Sequence, residues 1–159
     1  MRGLHDAIFD CPIELPPLWE RLDRAQAVAD DSAASPALPD DDRRFLARSL
    51  RDLRSAFQRL QLPERPLHGG PHQSNLLHTA EGPRWIDFDT VCRGPAEWDL
   101  AHLPEEAAAS FPEIRSDALA LARRLVGAEV AVWCWHTYGR APEVDEAAHF
   151  HLARLRSTA

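Results

Sequence analysis

The run Leu67 to Leu77, LHGGPHQSNLL, is followed after a short gap by Arg84 to Ala101, RWIDFDTVCRGPAEWDLA. Within it, NLLHT (75–79) is short and apolar, AEGP (80–83) has the residues of a turn, and RWIDF (84–88) is a second strand-like run. The spacing predicts a small β-hairpin. Asn75 opens its first strand, Asp87 and Asp89 close the second, and antiparallel pairing sets those ends side by side. An amide oxygen and a carboxylate brought together are hard ligands that suit Mg²⁺, which takes one or two carboxylates together with phosphate oxygens. Pleat alternation puts Asp87 and Asp89 on one side of their strand and Phe88 on the other.

Outward from this hairpin the pattern turns helical. LPPLWERLDRAQAVADD (15–31) begins with prolines suited to a helix start and spaces Leu18, Leu22 and Ala25 along one face. SAASPALP (32–39) breaks the pattern and reads as a loop. A longer helix from Asp42 to about Gln61, capped by Asp40 or Asp41, carries Leu46, Leu50, Leu53, Phe57 and Leu60 at alternating spacings of four and three. The arginines between them read as its solvated face. Pro63 and Pro66 end that helix, and everything before Leu67 reads as helix and loop. Downstream, a short helix starts at Pro95, a long one runs from Pro112 to about Tyr138, and a last one from Pro142 to about Arg156. The expected architecture is one domain over residues 1–159, mainly α with a small central β-hairpin.

Composition narrows the function. All 18 basic residues are arginine, so the chain offers no lysine for a P-loop, a Schiff base or a grip on nucleotide phosphates. A net charge of −7 argues against nucleic acid or an anionic membrane as the main partner. No apolar run reaches membrane length and no signal peptide is evident after Arg2. Cys11, Cys92 and Cys134 lie far apart without a CxxC, which reads as reduced thiols in a cytoplasmic protein.

The ordered set HGGPHQSNLL, WIDFD and GPAEWDLA resembles the catalytic half of the aminoglycoside phosphotransferase and choline kinase group, relatives of the protein kinases. The pattern of that group runs HGDxHxxN, a strand, IDF, and a helix bearing DLA. The resemblance implies a protein-kinase-like C-lobe with its working motifs within 67–101, and ATP- and Mg²⁺-dependent phosphoryl transfer to the hydroxyl of a small molecule such as an aminoglycoside. It further implies that Asn75 and Asp87 hold Mg²⁺ bridging ATP phosphates, that Asp99 braces the loop, and that His68 is a structural loop histidine.

Two departures stand out. The aspartate expected to accept the substrate proton falls at Gly70, and the N-lobe with its strand lysine is missing. General-base assistance is worth about 10²–10⁴ in rate. The N-lobe weighs more, because phosphoryl transfer depends chiefly on positioning and charge neutralisation. The isolated chain is therefore expected to be impaired or inactive; the alternatives are a non-catalytic, pseudokinase-like binding module and an interaction protein. A partner chain or a dimer would cover the face of the missing lobe, and an exposed apolar patch would be its signature.

His72 and Asp89 are candidate replacements for the lost base. The plainer account of His72 is a loop residue fixing the turn, and of Asp89 a solvated carboxylate. His68, His72, His149 and His151 invite a zinc reading, which Gly-Gly-Pro after His68 disfavours by breaking the helix needed to align the first two. Trp98, Trp133 and Trp135 would suit a cation pocket, although their helical setting favours core packing.

Overall fold

The computed structural model describes residues 1–9 and 13–158, without the side chains of Arg2, Asp6, Ala7 and Phe9; Cys11 lies outside the described residues. The chain forms two compact units, Met1–Trp19 with Gln61–Arg123, and Glu20–Leu60 with Arg124–Ala159. In chain order the elements are α1 (Arg2–Phe9), α2 (Leu18–Asp30), α3 (Asp40–Arg59), β1 (Glu64–Leu67), a 3₁₀ turn (Gln73–Asn75), β2 (Leu76–Thr79), β3 (Gly82–Trp85), β4 (Cys92–Pro95), α4 (Ala96–Ala101), α5 (Glu105–Ala108), α6 (Ser116–His136) and α7 (Pro142–Ser157). No helix among the described residues is long and apolar enough to cross a membrane.

The second unit is helical. On α3 the expected stripe is buried at Leu46, Leu50, Leu53 and Phe57, and Leu60 is half-buried just past the helix end. Each such side chain contributes about 1.5–3 kcal/mol when fully removed from water. The expected aspartate cap is absent: Pro39 is the N-cap residue, and no side chain bonds the first amides. Asp40, Asp41 and Asp42 fill the first turn instead, where their charge opposes the positive end of the helix. Arg43, just upstream of the stripe, is buried and donates to the carbonyls of Asp31, Ser35 and Leu38 and to the Ser35 hydroxyl, which closes the 31–38 loop.

A buried ion pair adds to this unit. Glu129 on α6 is fully buried and accepts from Arg21 Nε at 2.6 Å, Arg21 Nη2 at 3.0 Å and Trp133 Nε1 at 2.9 Å. Trp135 is buried and stacks on Tyr138 at 4.7 Å, with His149 edge-on to both. Cys134 is half-buried, and burial pushes its thiol pKa up, which keeps it a poor nucleophile.

The first unit holds two two-stranded antiparallel sheets, β1 with β4 and β2 with β3. The β2–β3 pair is the expected hairpin, in register Leu76 with Trp85 to Thr79 with Gly82. The β1–β4 pair, Glu64 with Pro95 to Leu67 with Cys92, has no counterpart in the sequence reading. Pro66 therefore sits inside a strand rather than only ending a helix; in a two-stranded ladder its missing N–H is tolerated at the edge. The segment before α2 joins this sheet through Arg93 N–H donating to Pro16 O at 2.8 Å. Gly94 lets the layers close, since a Cβ there would stand 3.0 Å from Leu18 and 3.2 Å from Leu67. The long helix expected from Pro112 starts at Ser116, because Ile114 N–H turns back to Phe111 O.

Candidate active site

β1 delivers the chain into the loop His68–His72, and the hairpin β2–β3 returns it alongside. His68 is fully buried. Its Nδ1 faces the Gly70 N–H at 3.4 Å and its Nε2 faces Ile86 O at 3.0 Å, which assigns the proton to Nε2. The ring packs against Phe88 at 4.7 Å and edge-on to Trp85 at 5.7 Å.

Asp99, on α4, is the fixed point beneath this loop. The carboxylate is fully buried and accepts from His68 N–H and Gly69 N–H, both at 2.9 Å. A third donor, His5 Nε2 of α1, reaches the same carboxylate at 2.9 Å. Trp98 Nε1 donates to Gly69 O at 2.8 Å, so neighbouring side chains of α4 hold both the N–H and the C=O of Gly69. Trp98 itself is fully buried.

The two glycines differ. Gly69 has φ 88°, and a Cβ would stand 2.0 Å from the Thr90 carbonyl oxygen. Gly70 has ordinary backbone, and a Cβ would meet only Thr90 Oγ1 at 3.4 Å. The fold demands glycine at the first position and has room for a Cβ at the second.

Asn75 is buried at the end of the 3₁₀ turn, with its Nδ2 donating to Gly70 O at 2.9 Å. The backbone carbonyl of Asn75 accepts from Ile86 N–H at 2.9 Å. Ile86 is thus tied by its N–H to Asn75 and by its C=O to His68, and Asp87 follows directly. Asp87 has φ 63°, a conformation uncommon outside glycine, asparagine and aspartate. The side chains of His72, Asp87 and Asp89 are exposed and make no hydrogen bond or ion pair among the described residues.

The pleat argument for Asp87 and Asp89 fails. Strand β3 ends at Trp85, the left-handed residue Asp87 interrupts any alternation, and Asp89 lies in the turn where Val91 N–H bonds Phe88 O at 3.2 Å. Phe88 lies against His68 because of this bend, not because of a strand period. His5 was not legible as a site residue, because the first nine residues carry no motif and its partner lies 94 positions away.

The family model for the phosphotransferase enzyme family, APH, matches residues 2–147. The chain belongs to that family. Solved structures similar to it include choline and choline/ethanolamine kinases, which share the protein-kinase-like fold. Choline kinase LicA from Streptococcus pneumoniae superposes with a TM-score of 0.74 at 12% identity, over 98% of this chain and 60% of that one. A LicA structure in complex with AMP gives 0.71 at 12% identity, over 99% of this chain and 61% of that one. A choline/ethanolamine kinase family protein from Mesorhizobium loti gives 0.67 at 18% identity, over 91% and 54%. The phosphotransferase-family chain described here thus spans about 60% of the LicA length. No curated protein matches it by sequence.

Proposed function

We propose that this chain is the nucleotide- and Mg²⁺-holding, C-lobe-like half of a small-molecule phosphotransferase, and that by itself it completes little or no transfer. One observation supports this most. Just beyond the paired strands Asn75 O accepts the Ile86 N–H, and Asp87 is the next residue after that donor. The amide nitrogen of Asn75 is committed to Gly70 O, while its amide oxygen and the Asp87 carboxylate accept no hydrogen bond among the described residues. Two hard oxygens on adjacent chain segments suit Mg²⁺ with phosphate and water completing the shell. Bound there, the ion would neutralise charge on a transferring phosphoryl group.

The remaining parts follow from the loop. Asp99, through the His68 and Gly69 amides, holds the turn that carries Asn75. Gly70 supplies no proton acceptor; His72 and Asp89 are the exposed groups that would have to do so. A small alcohol bearing a cation, such as an aminoglycoside or an amino alcohol, fits the chain's net charge of −7. The rest of the fold would come from another chain or from sequence outside this one. Leu77, Ile86 and Phe88, exposed by 51%, 41% and 40%, are the apolar surface it would cover. The wide spacing of Cys11, Cys92 and Cys134, without a CxxC, fits a cytoplasmic setting.

Gly70 and the absent lysine favour a second reading, a pseudokinase-like module that binds nucleotide without turnover. Titration calorimetry with Mg²⁺–ATP and Mg²⁺–AMP is the test. Binding by the wild type that disappears in Asp87→Ala and weakens in Asn75→Ala is the expected result. Binding that survives both substitutions would overturn the proposal. Phosphate release or transfer to an alcohol, lost in Asp87→Ala, would overturn its claim of inactivity and exclude the second reading.

A further inference from the structure

We propose that His5, on α1, is a positioning residue of this site, setting the Asp99 carboxylate and through it the loop His68–Gly70. The inference rests on the functional reading only for the purpose of the loop; the geometry stands without it.

Asp99 is fully buried and spends its oxygens on three donors. Oδ1 takes the Gly69 amide at 2.9 Å, and Oδ2 takes both the His68 amide and His5 Nε2 at 2.9 Å. An ionised carboxylate only accepts, so Nε2 of His5 must carry the proton. Two backbone amides offset part of the cost of burying this charge, and among the described residues the His5 imidazole is the side chain that donates to the carboxylate. Without it Oδ2 would keep one amide donor among the described residues, and the carboxylate would lose one of the three bonds that fix its rotation.

The rotation matters because of what the two amides carry. The His68 and Gly69 amides lie two or fewer residues from Gly70, whose carbonyl takes the Asn75 amide at 2.9 Å. Gly69 holds φ 88° with its backbone close to Thr90, where a Cβ would stand 2.0 Å from the Thr90 carbonyl oxygen. A change at Asp99 therefore passes along the backbone from His68 and Gly69 to Gly70, and through its carbonyl to Asn75, the residue proposed to face the metal. Among the described residues no hydrogen bond or ion pair joins α1 to Asn75 or Asp87, and the bonded route from His5 toward them passes through Asp99.

Hydrogen exchange of the whole chain separates this role from plain packing. His5→Phe keeps a ring and removes the donor; His5→Gln carries an N–H the same number of bonds from Cα. In His5→Phe the His68 and Gly69 amides should exchange at least about tenfold faster while those of α3 are unchanged, and His5→Gln should restore protection. Unchanged loop exchange in His5→Phe, a uniform rise that includes α3, or a Gln variant as unprotected as Phe would each overturn the proposal. If His5→Phe does not fold, Gln against Asn, whose N–H is one bond shorter, asks the same question: protection must survive only in Gln. Mg²⁺–ATP affinity should follow the same order. A wild type that binds no nucleotide would sink the functional reading, and the exchange pattern would still decide His5.

Discussion

Helix α3 and the segment from β1 to α4 keep their shapes by opposite means. In α3 the pattern is local: Leu46, Leu50, Leu53 and Phe57 recur at helical spacing and are buried together. Around the loop nothing is periodic. His68, Gly69 and Asn75 are held by Asp99, Ile86, Gly70 and Trp98, through bonds that cross up to 31 positions of sequence. Redundant apolar contact loses a little with each deletion. A polar network made of single bonds loses a function with one.

The largest effect expected is in the first region. Leu50→Ala, at a fully buried position, should lower unfolding free energy by about 2–5 kcal/mol, measured by denaturant melts. Any nucleotide response of the remaining folded protein should be unchanged, and a lost response at intact fold would break the contrast. Second comes Gly69→Ala, which forces a Cβ onto the Thr90 carbonyl at a positive φ and should cost about 1–3 kcal/mol. Third, Gly70→Ala, one residue on, should cost less than about 1 kcal/mol, because its Cβ meets only Thr90 Oγ1 at contact distance. Equal losses at the two glycines would refute the difference between them.

The smallest effect is a pH dependence in the helical unit. Burial, with the nearby charge of Arg154, holds the His151 imidazole pKa below its ordinary value. The unfolded chain then takes up this proton first as pH falls. The stability His151 contributes is complete above its unfolded pKa of about 6.5 and declines as pH drops through the depressed value. Melting points of wild type and His151→Gln at pH 7.5 and pH 5 should therefore converge on acidification, with the wild type losing more. An equal loss in both would show that other groups set the slope.

The sequence disclosed what depends on neighbours a few residues apart. The stripe of α3, the hairpin β2–β3 and the short helix after Pro95 all follow from period and turn chemistry. Strands β1 and β4 did not show, because ERPL and CRGP, four residues each, carry proline and no alternation. Their pairing is a tertiary choice. At the site, motif order singled out Asn75 and Asp87, and the bond from Ile86 N–H to Asn75 O sets the residue before Asp87 against Asn75. The direction of the Asp87 side chain was not legible, since it depends on a left-handed backbone that no strand rule foresees. His5 and Thr90 were invisible for a related reason: each acts on the loop from a distance in sequence, His5 through Asp99 and Thr90 through the His68 carbonyl at 3.2 Å.

One carboxylate joining positions 5, 68 and 99 also has a bearing on how the chain acquires its shape. Helices such as α3 can form from contacts within themselves, whereas Asp99 finds all its donors only after segments nearly a hundred residues apart have met. Closing so wide a span spends chain entropy before any bond repays it. The part of the molecule proposed to do chemistry is then the part expected to set last during refolding, and the first to open again when the protein is heated.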